Sequence, residues 1–131
     1  MADGRITFPF GKRALGRATY DAAGNMAVQI MNQDRPRFAS EDKSLGDPEE
    51  MRSALSGYEA YFGRYRIDEK GQTVLHTLEG ALFPNWVGGT QTRFFRLEGN
   101  RLELRTPEMP YSGTKLTAVL VWERLGESEG A

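Results

Sequence analysis

The chain has 131 residues, 39% of them hydrophobic and 27% charged, with 17 basic residues against 18 acidic ones. That length suits one domain able to bury roughly two-thirds of its unfolded surface, and the composition argues against a disordered chain and against a field that would gather nucleic acid or an anionic membrane. Cysteine is absent, which removes disulfides, thiolate nucleophiles and thiolate metal sites; no apolar run is long enough to span a bilayer and the opening MADGRITF lacks the core of a signal peptide, so the expected location is cytoplasmic.

In chain order, residues 5–8 form a short candidate strand, and residues 15–20 and 26–31 are strands on either side of DAAGN, a turn-rich hairpin loop. Residues 32–45, with Pro36 between two arginines and the polar run SEDKS, follow neither period and read as a long loop. DPEE at 47–50 signals a helix start: Asp47 caps free amides, Pro48 suits the first turn, and Glu49 and Glu50 favour its positive end. Met51, Ala54, Leu55, Tyr58 and Phe62 follow at spacings of three and four, which predicts a helix near 47–60 with an apolar face laid on the remaining fold. Residues 61–67, 73–82, 91–97, 101–105 and 115–124 then read as strands separated by DEKG, EGN and PYSG turns.

Closely spaced antiparallel strands of this kind pair into two sheets or close on themselves, and closure removes the exposed edges. The expected fold is all-β, an antiparallel barrel of about eight strands with one helix packed at an end, and eight strands leave room for one small ligand. A single domain spans 1–131, with 126–131 as a frayed tail. The segment LEGALFPNWVGGTQTRFF at 78–95 sets two strand-like runs around an aromatic, proline and glycine corner, as a barrel wall with a decorated mouth would require.

The segments GRITFPFG, MAVQIMNQDRPRFAS, GYEAYFGRYRID, HTLEGALFPNWVGGTQTRFF and LVWERL, in this order across nearly the whole chain, resemble the bacterial and fungal lipocalin-like domain family. The resemblance implies a small calycin-like antiparallel barrel with an interior cavity, in a family mostly of unassigned function and sometimes found alongside natural-product biosynthesis. Members usually begin with a strand carrying Gly-Thr-Trp ahead of the position matching Asp3, and this sequence starts after it. Either the start is truncated, or the barrel is completed otherwise, for example by Ile6 to Phe8 or by a second subunit, and a homodimer would cover the open edge.

Side chains alternate across a strand, so Val74, His76, Leu78, Gly80 and Leu82 share one face, apolar but for His76. Arg93 shares a face with Phe95 and Leu97, Leu102 and Leu104 continue an inward side, and Leu116, Ala118, Leu120 and Trp122 supply another. Tyr61 and Tyr65 lie with Gly63, opposite Phe62, Arg64 and Arg66, and are the better pocket candidates. For residues 26–31 either face fits the interior.

The only histidine, His76, is a candidate hydrogen-bond partner, proton shuttle or single axial haem ligand, the last selected by no sequence feature, against the plainer reading of a neutral core histidine satisfied by a neighbour. Arg93 offers a planar fork for a ligand carboxylate or enolate, against an ion pair with Glu79 or Glu103. Trp86 lids the cavity or plugs a corner, and DRPR at 34–37 is a polar loop with internal salt bridges or part of the opposite rim. Gly88 and Gly89 precede no helix start and permit a sharp turn rather than cradle phosphate.

Three function classes fit. One is a binder of a small hydrophobic or aromatic molecule, with Tyr61, Tyr65, Leu78, Trp86, Phe95 and Trp122 as walls and His76 and Arg93 as polar anchors. Another is a cyclase or isomerase acting on a polyketide-like intermediate, in which His76 or Tyr65 moves a proton and Arg93 stabilises an enolate. The last is a structural or interaction module whose barrel is filled by its own side chains. No Gly-x-Ser-x-Gly elbow accompanies the single histidine, a multi-histidine metal site is impossible, and no cofactor is implied.

Overall fold

The structure, a computed structural model, describes residues 8, 10–111 and 113–125; the candidate strand at 5–8, apart from Phe8, and the tail at 126–131 lie outside them. The order of elements is β1 (Leu15–Tyr20), β2 (Asn25–Met31), α1 (Pro48–Ser56), β3 (Tyr58–Asp68), β4 (Thr73–Ala81), β5 (Thr90–Glu98), β6 (Arg101–Arg105), β7 (Met109–Tyr111), β8 (Thr114–Leu116) and β9 (Val119–Glu123), with single 3-10 turns at Lys43–Leu45 and Pro84–Trp86. Seven strands form one antiparallel sheet in the order β1-β2-β3-β4-β5-β6-β9, and β7 and β8 pair as a separate ribbon.

The sheet curls into a nearly closed barrel. Met26, Val28, Ile30, Tyr61 and Leu78 form the core cluster, and it is covered both by Ala18 and Tyr20 of β1 and by Leu120 and Trp122 of β9, the two outer strands of the sheet. Those two strands are not paired with each other among the described residues. Alternation along β2 places Met26, Val28 and Ile30 inside, which decides the face that its sequence left open.

Two glycines and a bulge let the sheet bend this far. A Cβ at Gly16 would collide with the Gln29 carbonyl, and one at Gly63 with the Thr77 carbonyl, so neighbouring backbones approach there as no larger residue permits. Next to Gly63 the β3–β4 register shifts: Phe62 pairs with Gly80 and Gly63 with Leu78, leaving Glu79 as the extra residue of a β-bulge. The first hairpin is set by Asp21, whose carboxylate accepts from the Ala23 and Asn25 amides at 3.0 and 2.8 Å, while Gly24 takes the left-handed φ of 90° that the turn demands.

Several expectations change in consequence. The bulge breaks the alternation predicted for residues 74–82: Ala81 turns inward, Gly80 lies outside under the Phe62 ring, and Leu82 is exposed. Leu97 does not line the interior with Arg93 and Phe95, because it pairs with Leu102 beside the β5–β6 turn, beyond the reach of the core. The strand expected at 115–124 is divided, so Leu116 belongs to the β7–β8 ribbon and only Leu120 and Trp122 of that series cover the core cluster.

The helix is shorter than the predicted 47–60. Asp47 and Glu50 complete a reciprocal capping box at 2.8 and 2.9 Å, but the chain leaves the helix at Gly57, and Tyr58 already pairs with Met31 in the sheet. Tyr58 and Phe62 joined the helical pattern because a spacing of four also keeps one face of a strand. Met51 and Leu55 are exposed and no helix residue is buried, so α1 rests at one end of the barrel through polar ties rather than an apolar face: Arg35 donates to the Ala54 carbonyl at 3.2 Å and the Asn32 amide to the Gly57 carbonyl at 2.8 Å.

Candidate ligand-binding site

The strand order sets the geometry of the interior. Tyr65 pairs with His76, His76 with Gln91, and Val74 with Arg93, so β3, β4 and β5 bring these residues side by side. Tyr20 reaches them from β1 across the barrel, and its hydroxyl lies 2.8 Å from Nε2 of His76, which is wholly buried. The Tyr20 ring meets Tyr65 edge to face at 5.0 Å and tilts against His76 at 5.6 Å; the Tyr61 ring lies 5.9 Å from His76. The Tyr65 hydroxyl donates to the Asp21 carbonyl at 2.6 Å, which ties β3 to the first hairpin loop.

Burial, then the positive charge of Arg93, lowers the His76 pKa to about 4, so the imidazole is neutral at pH 7. Burial pushes the Tyr20 and Tyr61 phenols up, and Arg93 opposes the shift in both. Glu59, on the inward face of β3, is likewise raised by burial while Arg93 pulls the other way. One buried polar atom of the cluster has no protein partner in either tautomer of His76. With Tyr20 donating to Nε2, Nδ1 carries an unpaired hydrogen; with the bond reversed, Nδ1 is an unpaired acceptor. Nε1 of Trp122 is also buried and unpartnered.

Arg93 is 7% exposed. Its Nη1 donates to the Thr92 carbonyl at 3.0 Å and its Nη2 to the Gln91 side chain, both neutral acceptors. The alternative ion pairs fail for a geometric reason: Glu79 is exposed, and Glu103 pairs with Arg105 at 3.0 Å on the outer surface. Arg93 borders a cavity of about 540 Å³ at the end of the barrel where β4 turns into β5, with Phe83, Trp86, Gln91, Thr106 and Met109 among its walls. Trp86 stands edge to face with Tyr61 at 6.2 Å and with Phe83 at 5.4 Å, so the aromatic wall of this cavity runs on into the tyrosine beside His76.

Of the residues picked out from sequence, Tyr61, His76, Leu78 and Arg93 are buried, and Tyr65, Trp86, Phe95 and Trp122 are half-buried. Arg93 and Trp86 come together at the cavity, whereas His76, Tyr61 and Trp122 lie in the core behind it rather than in its walls. Tyr20, Glu59 and Gln91 were missed. The alternation of Gly16, Ala18 and Tyr20 was the signal for the first, but nothing local says that β1 faces β4 across the barrel. The loop at 34–37 lies on the β2–β3 connection, which is at the same end as the corner, not opposite it; Asp34 pairs outside its own loop with Arg13 at 2.7 Å, and Arg35 is half-buried over the Tyr58 ring at 5.0 Å. A second, open groove of about 430 Å³ runs along residues 31–43 against Ala54.

A family model described as a lipocalin-like domain matches residues 1–125. The chain belongs to the lipocalin-like domain family. The resemblance read from the sequence is thus borne out, and so is the barrel fold. This lipocalin-like domain is also 32% identical over 107 residues, 76% of its own length and 96% of the relative's, to the 4'-hydroxy-3'-methoxypropiophenone carrier protein ppsC of Aspergillus oryzae (strain ATCC 42149 / RIB 40). No solved structure matches the lipocalin-like domain. Among its described residues no helix is long and apolar enough to cross a membrane, and no group of three or more His, Asp or Glu side chains is placed to hold a metal ion.

Proposed function

We propose that this protein binds and carries a small aromatic molecule with a polar oxygen, taken up at the cavity beside Trp86 and Arg93. The observation that carries the reading is the make-up of that cavity: Phe83, Trp86 and Met109 offer apolar and aromatic walls, while Gln91, Arg93 and Thr106 converge as polar groups. Small-molecule sites combine an apolar lining with a few placed polar groups in this way. The unpartnered His76 Nδ1 and Trp122 Nε1 in the adjoining core are polar atoms that a ligand oxygen reaching them would satisfy. Membership of the lipocalin-like family and similarity to a carrier of an aryl ketone support the same class of ligand.

The acid–base alternative asks His76 to exchange protons with a substrate. Its ring is held neutral by burial and its Nε2 is engaged by Tyr20. The carrier reading asks only for a shaped, partly polar site.

Titration with 4'-hydroxy-3'-methoxypropiophenone, followed by calorimetry and by the fluorescence of Trp86 and Trp122, tests the proposal. Saturable one-to-one binding with a Kd of about micromolar order, weakened about tenfold in Trp86→Ala through the lost aromatic contact, is the expected result. Absence of saturable binding by this ketone and by a panel of phenols, aryl ketones and aryl acids would overturn the reading.

A further inference from the structure

We infer that the cavity selects an aromatic ligand whose polar head is an anionic oxygen, a carboxylate or phenolate conjugated to the ring, with Arg93 as its counter-ion. The inference rests on the carrier reading and adds the charge state of the ligand. A guanidinium is a cation that proteins do not deprotonate, yet Arg93 is 7% exposed and bonded through Nη1 and Nη2 to a backbone carbonyl and an amide oxygen. No ion pair of Arg93 occurs among the described residues. A buried cation without a paired anion is costly, and its presence on a cavity wall among aromatic side chains fits the place where a planar acidic ligand would pair with a planar fork.

The rings that face Arg93 do not offset its charge. Tyr20 from β1, Tyr61 from β3 and His76 from β4 are neutral around pH 7, since burial holds both phenols protonated and the imidazole unprotonated. Glu59 is the one carboxyl on the inward face that feels Arg93; burial raises its pKa while Arg93 pulls the other way, and it forms no ion pair with the guanidinium among the described residues. Glu108 also lines the cavity and has a bonding partner of its own. An arriving anion therefore meets a guanidinium whose attraction is little screened by water.

The test compares two ligands of nearly equal shape, 4-hydroxy-3-methoxybenzoic acid and its methyl ester, by calorimetry at pH 7. The acid is expected to bind about tenfold or more tightly than the ester, as charge-assisted bidentate pairs outweigh neutral ones. In Arg93→Met that ratio should fall to near one, and Arg93→Lys should keep part of it. In the unaltered protein, affinity for the phenolic ketone should rise as pH climbs from 6 through the ligand's own phenol pKa, with Glu59→Gln following the same curve; this arm decides the matter should Arg93→Met fail to fold. Acid and ester bound equally, with affinity for the ketone flat in pH, would sink the anion inference and leave the carrier reading standing. Failure of every ligand to bind would overturn the carrier reading and this inference with it.

Discussion

His76 behaves as a buried neutral side chain, and that makes the stability of the protein depend on pH. Its pKa falls from an ordinary 6.5 to about 4 in the fold, so the unfolded chain binds more protons between those values. The stabilisation is complete above about pH 6.5 and is lost as pH falls toward 4. Denaturant unfolding at pH 7.5 and pH 5 should differ by about 1–2 kcal/mol from this group, and His76→Gln should flatten the difference. An unchanged difference in that variant would assign the pH dependence to another group; Asp21, whose carboxyl is held below its usual range by bonds to Asn25, acts only at lower pH. The sequence marked His76 and Arg93 as the polar handles of an apolar face, and burial agrees. It gave no sign that Tyr20 is the histidine's partner, because that contact joins strands separated by two others.

At the scale of the element, the β3–β4 pair shows where periodicity succeeds and where it stops. Tyr61, Gly63 and Tyr65 on one face and Phe62 and Arg64 on the other follow directly from alternation. The bulge at Glu79 then inverts the rest of β4. A bulge leaves a faint local signature, since its cause is the approach of Gly63 to the Thr77 carbonyl in the neighbouring strand. Gly63→Ala should therefore destabilise the protein by about 2 kcal/mol or more through overpacking, read as a fall in the denaturation midpoint; Gly88→Ala, whose added methyl meets nothing within 4 Å and strains only the φ of 84°, should cost less. Equal effects would show that the close approach is not what bends the sheet. The helix illustrates the opposite case, for its start was legible in DPEE while its end depended on Tyr58 being claimed by β2.

For the whole molecule, a carrier must be stabilised by what it carries. With the aryl ketone at about a hundred times its Kd, stability should rise by about 2.7 kcal/mol by mass action, seen as a higher Tm that tracks ligand concentration. No rise at saturating ligand would mean that binding also favours the unfolded chain or does not occur. The sequence by itself determined the class of fold, most of the strands, the capped start of the helix and the inward face of β3 and of β4 as far as Leu78, because each follows from side-chain period, turn chemistry and capping within a few residues of chain. Only the tertiary structure decided that Tyr20 bonds to His76 across the barrel, that Arg93 is buried against neutral hydrogen-bond acceptors, and that Arg93 and Trp86 meet at the mouth cavity while His76 lies in the core rather than in its walls. Those facts depend on how far seven strands coil before their ends approach, which is set by glycine contacts and a bulge between strands, and no stretch of sequence contains both sides of such a contact.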